Sequence, residues 1–170
     1  MIIGIGGVSR AGKTSLSFRL RDRLKQMSYE CFVLHQDDYV TPKESIPRVR
    51  DKIDWEDPSS LDFARFKNLI AAAAEKNDVV IAEGILVFYE SELAHQMHKH
   101  IMLEITWEQF YERKQTDFRW NTEVEPDWYL SHIWDQHHRN GYINFPDSGL
   151  ILDGSKPVIM DELTTYCLDM

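Results

Sequence analysis

The chain has 170 residues, 43% of them hydrophobic, with 28 acidic against 19 basic side chains and a formal net charge of −9. That length suits a single domain, residues 1–170, with an apolar core that needs neither disulfides nor a structural metal; basic residues spread through an acidic chain argue against a nucleic-acid partner. Cys31 and Cys167 fit no metal or redox spacing, no run approaches the ~18 apolar residues of a membrane span, and a cytoplasmic protein without a leader or a membrane partner is expected.

The run Met1 to Gly6 predicts a buried strand, and Leu16, Leu20 and Leu24 recur at helical spacing just beyond it. Between them, Gly7-Val8-Ser9-Arg10-Ala11-Gly12-Lys13-Thr14 fits G-x-x-x-x-G-K-[ST], and it lies between strand and helix, where that phosphate-binding loop works. Gly7 and Gly12 let the backbone turn its N–H groups inward around a phosphate, and the helix start adds the positive end of its dipole. The residues expected to hold ATP are Gly7, Val8, Ser9, Arg10, Ala11, Gly12, Lys13, Thr14 and Ser15. Lys13 is expected to reach the β- and γ-phosphates and Thr14 to ligate Mg²⁺. The alternative is a chance match, which the flanking strand and helix oppose.

Cys31 to His35 predicts a second strand ending in Gln36-Asp37-Asp38-Tyr39. Carboxylates at the C-terminal end of a parallel strand lie where α/β sheets bind ligands. A kinase needs one such group to orient a substrate hydroxyl and take its proton; an acidic turn is the plainer alternative. Residues 40 to 58, with Pro42, Pro47 and Pro58, predict a long irregular loop. At its end, Asp54-Trp55-Glu56-Asp57-Pro58 offers an aromatic to stack on a flat ring beside acids that accept from sugar hydroxyls. Equally, Trp55 can plug the core while the acids or Ser59 and Ser60 cap the next helix.

A core-facing helix is expected from about Leu61 to Glu75, then a strand, Val79 to Ala82, leading into Glu83-Gly84. A carboxylate at that strand end is placed to hold Mg²⁺, directly or through water. His95, His98 and His100 read as an exposed helix end rather than a metal site. Ile101 to Ile105 predicts a fourth strand, and Thr106 an N-cap for the helix Trp107 to Thr116. Arg113, Lys114 and Arg119 lead into the polar segment Asn121 to Pro126. Residues 114–127 are therefore expected to form a small lid, with Arg113 and Arg119 neutralising phosphoryl charge; a solvated helix face is the alternative. A helix Asp127 to Arg139 follows, its histidines read as polar surface, then a fifth strand, Leu150 to Leu152, and a final helix, Pro157 to Leu168. The alternation predicts a three-layer α/β fold with a mostly parallel five-stranded sheet.

Taken with Gln36-Asp37-Asp38, Ile81-Ala82-Glu83-Gly84 and Leu152-Asp153-Gly154-Ser155-Lys156, the phosphate loop makes nearly the whole chain resemble the nicotinamide riboside kinase and uridine kinase group of P-loop kinases. The resemblance implies that Asp37 is the proton acceptor and a Mg²⁺-associated carboxylate, that Glu83 is the second such carboxylate, and that Trp55 and Glu56 hold the acceptor's base and ribose hydroxyls. Two positions depart from the pattern: Glu56 stands where aspartate is usual, and the lid has fewer arginines. The implied activity is ATP-dependent phosphorylation of a ribonucleoside 5′-hydroxyl, nicotinamide riboside ahead of uridine or cytidine. Another metabolite, such as pantothenate or a sugar, and a nucleotide-binding regulatory module are the alternatives; the guanine-reading N/T-K-x-D pattern is absent.

Overall fold

A computed structural model describes residues 1–116 and 125–169. In chain order the elements are β1 (Ile2–Gly7), α1 (Lys13–Gln26), β2 (Cys31–His35), β3 (Arg48–Val49), β4 (Lys52–Ile53), α2 (Phe63–Ala74), β5 (Val79–Glu83), α3 (Ser91–Gln96), β6 (Lys99–Glu104), α4 (Trp107–Gln115), α5 (Asp127–Asn140), β7 (Leu150–Asp153) and α6 (Met160–Leu168). The main sheet has five strands in the order β2-β5-β1-β6-β7, and every neighbouring pair in it is parallel. The five expected strands and the expected sheet are therefore all present.

Period-two alternation sends successive side chains of the inner strands to opposite faces, and both faces are apolar. Ile3 and Ile5 of β1 join one core with Leu16, Leu20 and Leu24 of α1, Phe110 of α4, Ile133 of α5 and Leu163 of α6. Ile2 faces the other core, with Phe66 and Ile70 of α2, Leu93 of α3 and the linking Phe88. Helices thus cover both sides, which makes the three layers. No helix among the described residues is long and apolar enough to cross a membrane.

Local chemistry sets several boundaries. Thr106 caps α4 in a reciprocal capping box with Gln109, as its position before the apolar run predicts. The cap of α2 is Asp62, which accepts from the Arg65 amide at 2.9 Å; the acids and serines before it are not its cap. The stretch expected as an irregular loop contains an antiparallel hairpin, β3 with β4, turning through Arg50 at φ 53°. Strands of two residues are too short for alternation to reveal. The expected exposed histidine end holds for His95, and His98 is exposed as well, but the helix does not reach His100. Helix α3 stops at Gln96, His98 Nδ1 accepts from the Ile2 amide at 3.1 Å, and His100 lies in β6 with Nε2 2.8 Å from the Ala94 carbonyl.

Directly after β5, Gly84 leaves room for the Gln36 side chain, whose Oε1 accepts from the Leu86 amide at 3.0 Å. A Cβ at Gly84 would lie 2.1 Å from that Oε1 and 2.4 Å from the Gln36 Cβ. The contact ties the segment after β2 to the segment after β5. Gly84→Ala is expected to lower stability by roughly 1–3 kcal/mol through overpacking, measured by urea denaturation; an unchanged midpoint would show that the contact yields freely.

Candidate active site

The turn between β1 and α1 has the backbone of an anion cradle. Gly7 and Gly12 sit at φ 147° and 106°, and Arg10 joins them at φ 67°. The Ala11 amide donates to the Val8 carbonyl at 3.1 Å, which closes the loop. Helix α1 begins at Lys13 with no acidic residue in its own first turn, which leaves the positive end of its dipole available to an anion. Lys13 is buried, with Nζ donating to the Val8 carbonyl at 3.0 Å. These are the residues the motif assigned to ATP.

Three strand ends bring the candidate chemical groups beside that cradle. Glu83 ends β5 and is buried; its Oε1 accepts from the Thr14 hydroxyl at 2.8 Å. The same oxygen lies 2.7 Å from Nδ1 of His35, the last residue of β2. Asp37 sits in the 3₁₀ turn Gln36–Tyr39 that follows. Its carboxylate is open to solvent, yet enough protein surrounds it that desolvation raises its pKa; Lys13 pulls it back down while Glu83 and Asp38 push it up. Asp37, Lys13 and Glu83 therefore sense one another's charge. The Thr14 hydroxyl and the two carboxylates are hard oxygen donors of the kind Mg²⁺ selects, and Glu83 Oε2 carries no hydrogen bond from the described residues. The residues present fit the ion.

The acceptor-side candidates lie at the end of the hairpin segment. The three acids around Trp55 separate by environment. Asp54 is buried 2.8 Å from His132 Nε2, and Asp57 accepts from the Ser59 amide and hydroxyl at 2.8 and 2.6 Å. Glu56 is 8% exposed, and its Oε2, like Asp54 Oδ1, lacks a hydrogen-bond partner among the described residues. It borders a small void with Val8, Ser9, Leu86 and His137. Burial pushes its carboxyl up to about 7, opposed by Lys114 and reinforced by Asp54 and Asp37. Trp55 is half-buried and belongs to neither core, with the Lys43 ammonium 5.9 Å from its ring. The core-plug alternative is set aside.

On the other flank, Arg113 donates to the carbonyls of Arg10 and Gly154 at 2.9 and 3.1 Å, which bolts α4 to the phosphate loop and to the turn after β7. Arg119 and most of the expected lid lie outside the described residues. The reading of the α5 histidines as surface fails at His137: it is 6% exposed between Val8 and Ile133, and burial lowers its pKa to about 3. The cause is α5 itself, whose C-terminal half packs over the phosphate loop. A cavity of about 400 Å³ beside it, lined by Val8, Glu104, Trp134, His138 and Tyr142, includes none of Asp37, Glu83 or Trp55.

Two features escaped sequence reasoning. His35 gave no signal, because its partner is 48 residues away and only strand pairing joins them. The hairpin's docking on α5 was equally silent: Tyr129 donates to the Ile53 carbonyl at 2.8 Å, Lys52 pairs with Glu125 at 3.1 Å, and the Arg50 guanidinium lies 4.4 Å from the Trp128 ring centre.

No protein-family model matches the chain. It is similar to nicotinamide riboside kinase 2 of Mus musculus, at 27% identity over 161 residues that cover 82% of this chain and 78% of that protein. Nicotinamide riboside kinase 1 of Homo sapiens is 24% identical over 173 residues, covering 91% and 84%. Among solved structures, a possible uridine kinase from Bacillus stearothermophilus superposes with a TM-score of 0.58 at 16% identity, covering 90% of this chain and 88% of that one. A shikimate kinase from Bacteroides thetaiotaomicron gives 0.60 at 16%, covering 98% and 95%. The fold is that of P-loop kinases, and the resemblance read from the motifs stands. The relatives support a phosphotransferase with an alcohol acceptor that uses ATP with Mg²⁺.

The Glu56 environment has a pH signature. A carboxyl whose pKa is raised on folding, here to about 7, contributes fully below its unfolded value of about 4.5 and loses that contribution as pH rises through 7. Wild-type stability is expected to fall by up to about 3 kcal/mol from this group between pH 4.5 and 8. Glu56→Gln removes that fall, so the variant gains on wild type across this window. Urea unfolding of both proteins at pH 5 and pH 8 reads the difference; an equal gap at the two pH values refutes it.

Proposed function

We propose that the protein transfers the γ-phosphoryl group of ATP to the 5′-hydroxyl of a ribonucleoside, with nicotinamide riboside ahead of uridine and cytidine. The observation that carries this reading is the convergence of Lys13, Thr14, Asp37 and Glu83 at the ends of β1, β2 and β5, beside an aromatic and a buried carboxylate on the acceptor side. Similarity to nicotinamide riboside kinases supports the choice of acceptor.

The roles follow from position. The amides of Gly7 to Ser15 hold the phosphates, and Lys13 leaves the Val8 carbonyl to offset charge on the transferring group. Asp37 orients the acceptor hydroxyl and takes its proton as the new P–O bond forms and the β–γ bridging bond breaks, releasing ADP. Thr14, Glu83 and Asp37 would hold Mg²⁺, which supplies charge neutralisation on the phosphate oxygens. Arg113, already anchored on the loop backbone, and Arg119 close over the phosphates. Trp55 stacks on the base, and Glu56 engages the ribose hydroxyls. Because phosphoryl transfer depends on positioning and charge, these groups are sufficient.

The test is ADP release from Mg-ATP against nicotinamide riboside, uridine, cytidine, adenosine, pantothenate and simple sugars, with Lys13→Ala as the blank. One riboside is expected to stimulate turnover strongly. Asp37→Asn is expected to lower that turnover by ~10²–10⁴-fold while ATP binding is retained. Stimulation by pantothenate or a sugar alone would replace the acceptor. ATP binding with no stimulation by any compound would favour a regulatory module.

A further inference from the structure

We propose that His35 is a positioning residue for the Glu83 carboxylate, holding it in the orientation in which its second oxygen can serve Mg²⁺. The inference rests on the reading of Glu83 as a Mg²⁺-associated group and extends it to a residue outside the phosphate loop and the acidic turn.

The geometry comes from strand register. In the parallel pair of β2 and β5, His35 is the direct partner of Glu83, so both side chains leave the same face at the same level of the sheet. His35 Nδ1 stands 2.7 Å from Glu83 Oε1, and Thr14 Oγ1 stands 2.8 Å from that same oxygen. A carboxylate oxygen only accepts, so each neighbour donates to it, and Nδ1 carries the hydrogen. The two donors come from different elements, one from the edge strand β2 and one from α1, and together they restrain the carboxylate. Oε2 is left without a hydrogen bond from the described residues.

The ring is itself held. Phe18 of α1 meets it edge-on, with centroids 5.2 Å apart and planes at 72°, and the side chain is 25% exposed against 7% for Glu83. The division of labour has a chemical reason. When Thr14 offers a hydroxyl lone pair to a cation, its hydrogen can still go to Glu83, but its place is then set by the ion as well as by the carboxylate. His35 carries no such double duty and remains to hold the carboxylate. Donors behind metal-associated carboxylates commonly set affinity in this way.

The experiment is calorimetric binding of a non-hydrolysable ATP analogue to wild type, His35→Ala, His35→Asn and Glu83→Gln over a series of Mg²⁺ concentrations. Asparagine keeps a donor near the place of Nδ1. His35→Ala is expected to raise the Mg²⁺ needed for half-maximal enhancement of binding by ~10-fold or more, with affinity for the Mg²⁺-free analogue unchanged. His35→Asn is expected to recover most of the loss. In the Glu83→Gln background, His35→Ala should add nothing, since its effect passes through that carboxylate. An unchanged Mg²⁺ requirement in His35→Ala overturns the proposal, as does an equal loss of Mg²⁺-free binding or a full additional loss in the double variant. Should the alanine variant fail to fold, a His35→Asn variant with wild-type stability and no Mg²⁺ shift supports the donor role, and one with the full shift refutes it. Wild-type binding indifferent to Mg²⁺ would instead sink the kinase reading on which the proposal stands.

Discussion

The register of three neighbouring parallel strands governs this site. β5 lies between β2 and β1, and pairing sets Glu83 opposite His35 on one side and Ile5 on the other. Two residues past Ile5 the chain enters the phosphate loop, and two residues past His35 it reaches Asp37. A slip of one residue in either pairing would turn Glu83 to the opposite face of the sheet and dissolve the cluster. The apolar cores prevent the slip, because Ile3 and Ile5 belong to one face and Ile2 to the other. Chemistry at the strand ends is thus specified by hydrophobic packing one or two residues below it.

Above the sheet, the dominant fact is crowded charge. Glu83, Asp37 and Glu56 lie within electrostatic reach of one another or of shared neighbours, and Lys13 and Lys114 oppose them. In the structure described, Lys13 rests on the Val8 carbonyl, Thr14 on Glu83, and Arg113 on two carbonyls. Those three donors are thus already bonded within the protein, while Glu83 Oε2 and Glu56 Oε2 carry no hydrogen bond from the described residues. A bound triphosphate would replace the bonds of the donors, whereas a cation would meet a carboxylate oxygen that is still open, which ties affinity to how well the exchanged partners match.

The strands were legible because a sheet covered on both faces requires short continuous apolar runs, and Val79 to Ala82 and Ile101 to Leu103 are such runs. The phosphate loop was legible because its glycines answer a local backbone demand, now seen at Gly7 and Gly12. The hairpin Arg48 to Ile53 was not, since two-residue strands carry no periodicity. The burial of His137 was missed for a related reason: its neighbours His138 and Arg139 are exposed, and what covers it comes from the phosphate loop more than a hundred residues earlier. Trp55 and Glu56 were found as residues but not as environments. Asp54 is buried against His132, and no local pattern connects the two.

The contacts between the hairpin and the first turns of α5 join two stretches of chain that sequence order keeps far apart. Lys52 with Glu125, Arg50 with Trp128, Ile53 with Tyr129 and Asp54 with His132 form one seam along the residues that flank Trp55 and Glu56. On the function proposed above, acceptor choice is a property of a two-part module. A chimera that imports only the 40–58 segment from a relative would arrive with an unmatched seam, and selectivity should transfer cleanly only when residues 125–132 travel with it.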